Sequence, residues 1–149
     1  MNLRKYEKID IVDQMLETAL SLFNEGEDYF SVLQIAGACE EILGKYLESK
    51  GRNTSLQSDA ELFVAIKRIL SRSETTVKKA IIFLNKPKNS IKHLSDNNDT
   101  TVIMDPREDA KAVINRAISN WWNLNRELTP LMKEFKKSQE QKVTGMPAV

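Results

Sequence analysis

The sequence has few of the residues that build metal sites and covalent cross-links. It contains one cysteine, Cys39, and one histidine, His93, among 149 residues. A single cysteine cannot form a disulfide within the chain, and one cysteine with one histidine cannot complete a structural zinc site. A di-iron carboxylate bundle is excluded because it needs a Glu-x-x-His pair on each of two helices. We therefore expect neither a metal nor another cofactor.

Other functional patterns are also missing. There is no glycine-rich phosphate loop, so the sequence does not predict Walker-type nucleotide hydrolysis. Residues 96–99 superficially resemble a calcium loop, but the turn glycine is absent and Arg107 stands where a bidentate glutamate is required. No apolar run reaches about 18 residues, and no signal-peptide pattern opens the chain. These absences predict a cytoplasmic protein with no membrane association.

Charge is nearly balanced overall, at a net +1, but it is unevenly distributed. Residues 1–66 carry 6 basic and 12 acidic groups, residues 67–93 carry 8 and 1, and residues 94–149 carry 8 of each. We call residues 67–93 the basic block. A cationic segment of this kind is a footprint for a polyanion, although a charged run is more often a solvated helix face. Its candidate substrate-binding side chains are Lys78, Lys79, Lys86 and Lys92.

Apolar residues recur at helical spacing along most of the chain, and no segment shows sustained strand-like alternation, so the pattern predicts an all-α fold. Only residues 100–104 suggest a short extended piece. The prediction is an up-and-down bundle of five or six helices in one domain, residues 1–137, followed by a disordered polar tail, residues 138–149. Start signals include a capping box at Ser58, a cap and proline at Asp105 and Pro106, and the pair Thr129 and Pro130.

Several side chains have a predicted environment. The third helix should bury an apolar stripe, and Cys39, which lies on the stripe of the second helix, should be a buried inert thiol. Of Trp121 and Trp122, one should pack inside while the other edges toward a second helix layer or a partner subunit. Small residues in the second helix predict close approach of a neighbouring backbone. The third-helix stripe consists of Leu62, Phe63, Ile66, Ile69 and Leu70, and the small residues are Ala36, Gly37, Ala38 and Gly44.

Residues 85–94 combine the lone His93 with lysines and asparagines. Histidine exchanges protons near neutral pH, and lysines hold phosphate or stabilise negative charge, so this combination indicates RNA chemistry or nucleotide binding. We predict that a helix restarts here, with Asn85 as its cap and Pro87 at its first position, placing Asn89 and His93 on one face. Against this, a lone histidine on a helix is more often a structural or surface residue than a catalyst.

Glu40 and Glu41 are neighbours on the second helix, about 100° apart around its axis, so they cannot act as a facing carboxylate pair. Glu40 flanks the apolar stripe and is a candidate orienting acid for the lysine and histidine site, whereas Glu41 points away from the stripe. The alternative interpretation is that both are ordinary helix-surface charges.

Residues 36–47, AGACEEILGKYL, and residues 88–93, KNSIKH, resemble two segments of the HEPN family, the higher-eukaryote and prokaryote nucleotide-binding helical domains. The first resembles the small-residue, acid-containing second helix of bacterial members, and the second is similar to the signature Arg-Asn-x-x-x-His. The resemblance covers most of residues 5–128. It implies an all-α bundle that pairs as a two-fold dimer, joining two motifs in one composite cleft. Many members are metal-independent endoribonucleases, and others bind nucleic acid or nucleotides without cutting.

Carried over to this chain, the resemblance implies catalytic roles for three residues. His93 would be the general base or acid at the ribose 2′-hydroxyl or the leaving oxygen, and Asn89 would hold the phosphate or orient the histidine. Lys88 replaces the motif arginine, and its ammonium is a point charge where a guanidinium offers a two-pronged donor set. The alternative is a non-catalytic helical interaction module that dimerises and docks a protein partner, such as an antitoxin or the other half of a defence pair.

Overall fold

The structure, a computed structural model, describes residues 2–26, 28–71 and 74–144, with side chains to residue 140. These residues form six α-helices and no strand, which confirms the predicted all-α class and leaves residues 100–104 as an irregular connection. None of the helices in these ranges is both long and apolar enough to cross a membrane. In chain order the helices are α1 (Lys8–Glu25), α2 (Tyr29–Ser49), α3 (Ser55–Ser71), α4 (Val77–Ser90), α5 (Pro106–Asn123) and α6 (Pro130–Thr144).

Local capping chemistry sets several of these helix ends. Helix α1 stops at Gly26, whose φ of 81° is left-handed and therefore favours glycine. The Asp105 side chain accepts hydrogen bonds from the backbone N–H groups of Arg107 and Glu108, with Pro106 at the first position of α5. At α6 the Thr129 hydroxyl accepts from the N–H of Met132. The predicted starts of α5 and α6 are confirmed.

Two predicted helix starts are wrong. Helix α3 begins at Ser55 rather than after Ser58, and the Thr54 hydroxyl accepts from the N–H of Gln57 at 3.1 Å. Helix α4 does not restart at Asn85, because it runs without interruption through Pro87. The proline removes one backbone hydrogen bond to the carbonyl four residues earlier. The helix nevertheless continues, and the side chain of the next residue, Lys88, is buried in the protein.

The core lies between α2 and α5, which pack against each other more extensively than any other pair, with α1 and α6 completing the layer. Cys39 is fully buried there and Trp121 packs inside, as the sequence predicts, while Trp122 is 61% exposed. At the other end of the chain, α6 extends through Thr144 into the segment predicted to be disordered, and residues 145–149 lie outside the described residues.

Helices α3 and α4 pack chiefly against each other and touch the rest of the bundle less. The predicted burial of the α3 stripe is wrong for most of its members: Ile69 is 78% and Leu70 79% exposed. Phe63 does find a partner, stacking on Phe83 with ring centroids 5.4 Å apart. Helical periodicity identified an apolar face, but no other described element of the chain covers it. We call this surface the apolar face; it consists of Leu62, Ile66, Ile69 and Leu70.

Candidate functional site

The last turn of α4 points one of the predicted catalytic side chains into the protein. The Lys88 ammonium lies 3.0 Å from the Glu40 carboxylate and 3.2 Å from that of Glu41, and the Lys88 side chain is only 6% exposed. Gly37 makes room for it, since a Cβ there would lie 3.4 Å from Lys88 Cδ. At this position the small residues of α2 therefore accommodate a side chain, where the sequence predicted a neighbouring backbone.

Glu40 holds a second cation from the opposite side. Arg116 Nε donates to the other carboxylate oxygen of Glu40 at 2.6 Å, and both side chains are at most 5% exposed. Asn120 adds two links: its amide nitrogen donates to the Glu40 backbone carbonyl at 3.3 Å, and its amide oxygen accepts from the Ser55 N–H at 2.8 Å. We call the set of Glu40, Glu41, Lys88, Arg116 and Asn120 the Glu40 network. Ions removed from water need such compensation, since desolvation costs several kcal/mol for each ion.

Ion pairs in or beside the Glu40 network involve three of the candidate residues, Glu40, Lys88 and Lys92. Glu40, proposed from the sequence as an acid that orients the site, contacts Lys88 and Arg116 instead of His93. Lys88 is neutralised by two carboxylates and shielded from solvent, so this conformation does not present it to a ligand. The Lys92 ammonium lies 3.9 Å from Glu41.

The sequence analysis missed Arg116 and Asn120. Both belong to the buried face of α5, beside Val113 and Ala117, at helical spacing. An arginine and an asparagine within an apolar stripe are a usable signal, because buried polar groups are almost always paired. Their partners, however, come from α2 and from the start of α3, which are distant in sequence.

The other candidates meet on the solvent side of α4. A groove of ≈ 600 Å³ lies between this face and the segment that follows the helix, and Lys79, Lys86, Asn89 and His93 all contribute to it. Lys78 and Lys92 are exposed outside its lining. We call this hollow the α4 groove; its remaining lining residues are Ile82, Phe83, Ser90, Ser95 and Asp99.

His93 lies just beyond the end of α4, which is capped at Ile91. Its backbone N–H still donates to the carbonyl of Asn89 at 3.1 Å, so the chain keeps one helical hydrogen bond across the end of the helix. The imidazole is exposed. The predicted position in the second turn of a restarted helix is wrong, yet Asn89 and His93 line the same groove because the last helical turn and its continuation carry them both.

One carboxylate also lines the groove. Asp99 accepts a hydrogen bond from the Ser95 N–H at 2.9 Å, and this bond lowers the pKa of Asp99 below 3.8. The groove therefore combines two ammonium groups, an amide and an imidazole with one fixed negative charge. It can bind phosphate through the lysines while Asp99 restricts where the phosphate lies.

The described residues contain neither a reactive cysteine nor a cluster of side chains arranged to bind a metal ion. Burial raises the pKa of the Cys39 thiol to about 12, so this group stays protonated at neutral pH. Within the described ranges no group of three or more histidine, cysteine, aspartate or glutamate side chains is arranged to hold a metal ion.

Comparison with known proteins gives no match to a protein-family model, to a curated protein or to a solved structure.

Proposed function

We propose that the protein is a HEPN-like homodimer that binds RNA or a nucleotide in the α4 groove. The observation that carries the proposal is the meeting of Lys79, Lys86, Asn89 and His93 along one solvent-facing hollow. Ammonium groups neutralise phosphates, and an exposed aromatic ring offers a stacking surface for a base. Phe83, which is 59% exposed and lines the same groove, supplies that ring.

The charges assign the phosphate contacts to particular lysines. Lys88 is neutralised inside the Glu40 network, and Lys92 faces Glu41. Lys79 and Lys86 are both exposed and line the groove. We therefore assign phosphate binding to this pair, and we assign Lys88 the task of holding the end of α4 against α2.

Metal-independent RNA cleavage is the enzymatic form of the proposal. His93 would transfer a proton at the ribose 2′-hydroxyl or at the leaving oxygen, and Asn89 would hold the phosphate or orient the imidazole. In the HEPN signature an arginine stands at position 88, but here the buried Lys88 leaves charge stabilisation at the phosphate to Lys86. We expect this substitution to make any cleavage slow compared with binding.

Dimerisation is proposed from the apolar face. Leu62, Ile66, Ile69 and Leu70 recur on one side of α3 and are all exposed. Exposed apolar patches on soluble proteins commonly mark interaction sites. Helix α3 packs on α4, which lines the α4 groove, so a second copy seated on the face would contact the same helix pair that carries the groove. Two-fold pairing there would bring two grooves close together.

The binding proposal is tested with single-stranded RNA at two ionic strengths. The affinity should fall steeply as salt rises, because each lysine that meets a phosphate releases counterions. The double variant Lys79→Ala/Lys86→Ala should bind more weakly and reduce the slope of log Kd against log salt by about 1 for each lysine removed. The matched control is Lys133→Ala/Lys137→Ala, which removes the same charge from exposed positions of α6. Equal behaviour of the two double variants, or salt-independent binding, would refute the proposal.

The cleavage proposal needs a separate assay. RNA is incubated with the wild-type protein in the presence of a chelator, and product formation is compared with that of His93→Ala and of Lys133→Ala. Wild type and the Lys133 variant should cleave at similar rates, since Lys133 is an exposed residue of α6 outside the groove, while the His93 variant should lose activity. Cleavage that is unchanged in His93→Ala would exclude proton transfer by this residue.

The second candidate function is the interaction module, and the exposed apolar face favours it. In this alternative the face docks another protein chain, and the lysine and histidine segment has no ligand. Both functions expect a dimer, so the RNA assay on the dimer identified by light scattering separates them. A dimer that binds RNA supports the first function, and a dimer that binds no RNA supports the second.

A further inference from the structure

A second hollow lies on the other side of the last turns of α4. This cleft of ≈ 620 Å³ is bounded by α4, by residues 99–104 and by α5. It shares Phe83, Lys86, Ser90 and Asp99 with the α4 groove. The two hollows are therefore neighbours, and Lys86 borders both. We call the second hollow the α4–α5 cleft.

Most of the cleft wall is apolar. Leu84 and Pro87 come from α4, Val102 and Met104 from the connecting segment, and Val113 from α5. Apolar side chains around a hollow of this size suit a flat ring better than a hydrated phosphate, because the ring faces lose little hydration on burial. Phosphate would instead favour the lysines of the neighbouring groove.

Polar side chains interrupt the apolar wall: Lys86, Ser90, Asp99, Thr101, Asp109 and Arg116. Arg116 is held by its Nε on Glu40, while its Nη2 is buried and has no hydrogen-bond partner among the described residues. An unpaired buried donor is unfavourable, so an acceptor that reaches it would bind favourably. Asp109 offers carboxylate oxygens. Arg116 and Asp109 are thus a donor and an acceptor on the α5 side of the cleft.

We infer that the α4–α5 cleft binds a nucleobase of the RNA or nucleotide whose phosphate lies in the α4 groove. A ring carbonyl would accept from Arg116 Nη2, and a ring N–H would donate to the Asp109 carboxylate. Lys86, shared by both hollows, would contact the phosphate between them. Arg116 lines the cleft although its Nη2 is buried, so a base that contacts Nη2 must displace a side chain of the wall. This inference rests on the proposed function.

The donor and acceptor arrangement predicts a preference among bases. Uracil and guanine each carry a ring carbonyl next to a ring N–H, which complements an arginine donor and a carboxylate acceptor. Adenine has no carbonyl group. Oligouridylate should therefore bind more tightly than oligoadenylate of equal length.

The test fills the cleft without disturbing the groove. Ala112 lines the cleft and is exposed, so Ala112→Phe places a ring in the hollow at little cost to folding. Binding of oligouridylate should weaken about tenfold, the scale of losing one stacked base. Binding of an abasic oligomer of the same length should not change, because its phosphates still reach Lys79 and Lys86. Ala65→Phe, an exposed position of α3 that lines neither hollow, is the matched control.

The outcomes separate the inference from the proposed function. If wild type binds oligouridylate and the abasic oligomer equally, and Ala112→Phe changes neither, the base site is refuted while groove binding stands. If wild type binds neither oligomer, the proposed function fails and the base site fails with it. Stronger binding of oligouridylate that is lost in Ala112→Phe and retained in Ala65→Phe supports the base site.

Discussion

Helices α2 and α3 carry the same amphipathic pattern, but α2 buries its apolar stripe, whereas α3, which packs on α4, leaves most of its stripe exposed. Helix α2 buries its stripe completely at Leu33, Leu43 and Leu47, and the neighbouring charges pair inside the Glu40 network. Helix α3 carries an equally regular stripe that stays largely exposed. The difference teaches that helical spacing shows which face is apolar, whereas burial depends on a partner that lies elsewhere in the chain or in another molecule.

The largest loss of stability is expected when Glu40, the central acid of the buried region, loses its charge. Glu40→Gln leaves Lys88 and Arg116 buried without their shared carboxylate, so we expect the free energy of unfolding to fall by about 3–5 kcal/mol. Glu41→Gln is the matched control. Its side chain is half exposed, and we expect a loss of about 1 kcal/mol or less. Urea denaturation of both variants measures the two losses, and a loss of about 1 kcal/mol or less in Glu40→Gln as well would show that the Glu40 carboxylate does not hold the fold.

A matched pair of leucine truncations compares the two regions directly. Leu43→Ala opens a cavity in the core and should cost about 2–5 kcal/mol in unfolding free energy. Leu70→Ala, on the apolar face, should change the stability of the monomer by no more than about 0.5 kcal/mol. If a second copy covers this face, Leu70→Ala should instead raise the dissociation constant of the dimer, which sedimentation at several concentrations would detect. An unchanged dimer would move the interface away from the apolar face.

The smallest expected change in folding stability concerns Asp109 in the wall of the α4–α5 cleft. Burial, with a further contribution from the charge of Asp105, raises the pKa of Asp109 above 3.8, against the opposing effect of Arg116. The folded state then binds the proton more tightly than the unfolded state, so the stability due to this group is present below pH 3.8 and is lost as pH rises through the raised pKa.

Asp109→Asn removes the penalty of the partly buried charge. We expect a gain of less than about 1 kcal/mol near neutral pH, since the site is partly solvated. The advantage should disappear as the solution is acidified and the wild-type carboxyl becomes protonated. Thermal melts of both proteins across this pH range test whether the variant is the more stable protein near neutral pH. A variant that is less stable at neutral pH would show that the attraction between Asp109 and Arg116 outweighs burial.

The parts of the fold that follow from neighbouring residues could be predicted from the sequence. Asp105 with Pro106, and Thr129 with Pro130, act within one helical turn, so the starts of α5 and α6 were correct. The start of α3 was wrong although it too has a local cap, since the Thr54 hydroxyl accepts from the N–H of Gln57. Thr54 to Gln57 fits the same capping pattern as Ser58 to Glu61, so local rules offered two starts. The bond from the Ser55 N–H to Asn120, 65 residues later in the chain, favours the earlier one, and local rules contain no information about it.

The distinction between local signals and contacts with distant residues also applies to the candidate site. The basic block identified Lys79, Lys86, Asn89 and His93, which the fold brings to one groove because they occupy one side of α4 and its continuation. It could not show that Lys88 is buried, since that depends on Glu40, 48 residues earlier. Charge runs locate a cationic segment, but a tertiary partner decides which of its members remain available to a ligand.

Asn120 has a mechanical consequence for the helix it holds. Its amide fixes the first N–H of α3 to the core, and the more distant turns of α3 rest mainly on α4. The end of α4 is held separately, through Lys88 on α2. Amide hydrogen exchange should therefore find the last turns of α3 less protected than the turns near Ser55, because the last turns rest on α4 and not on the core.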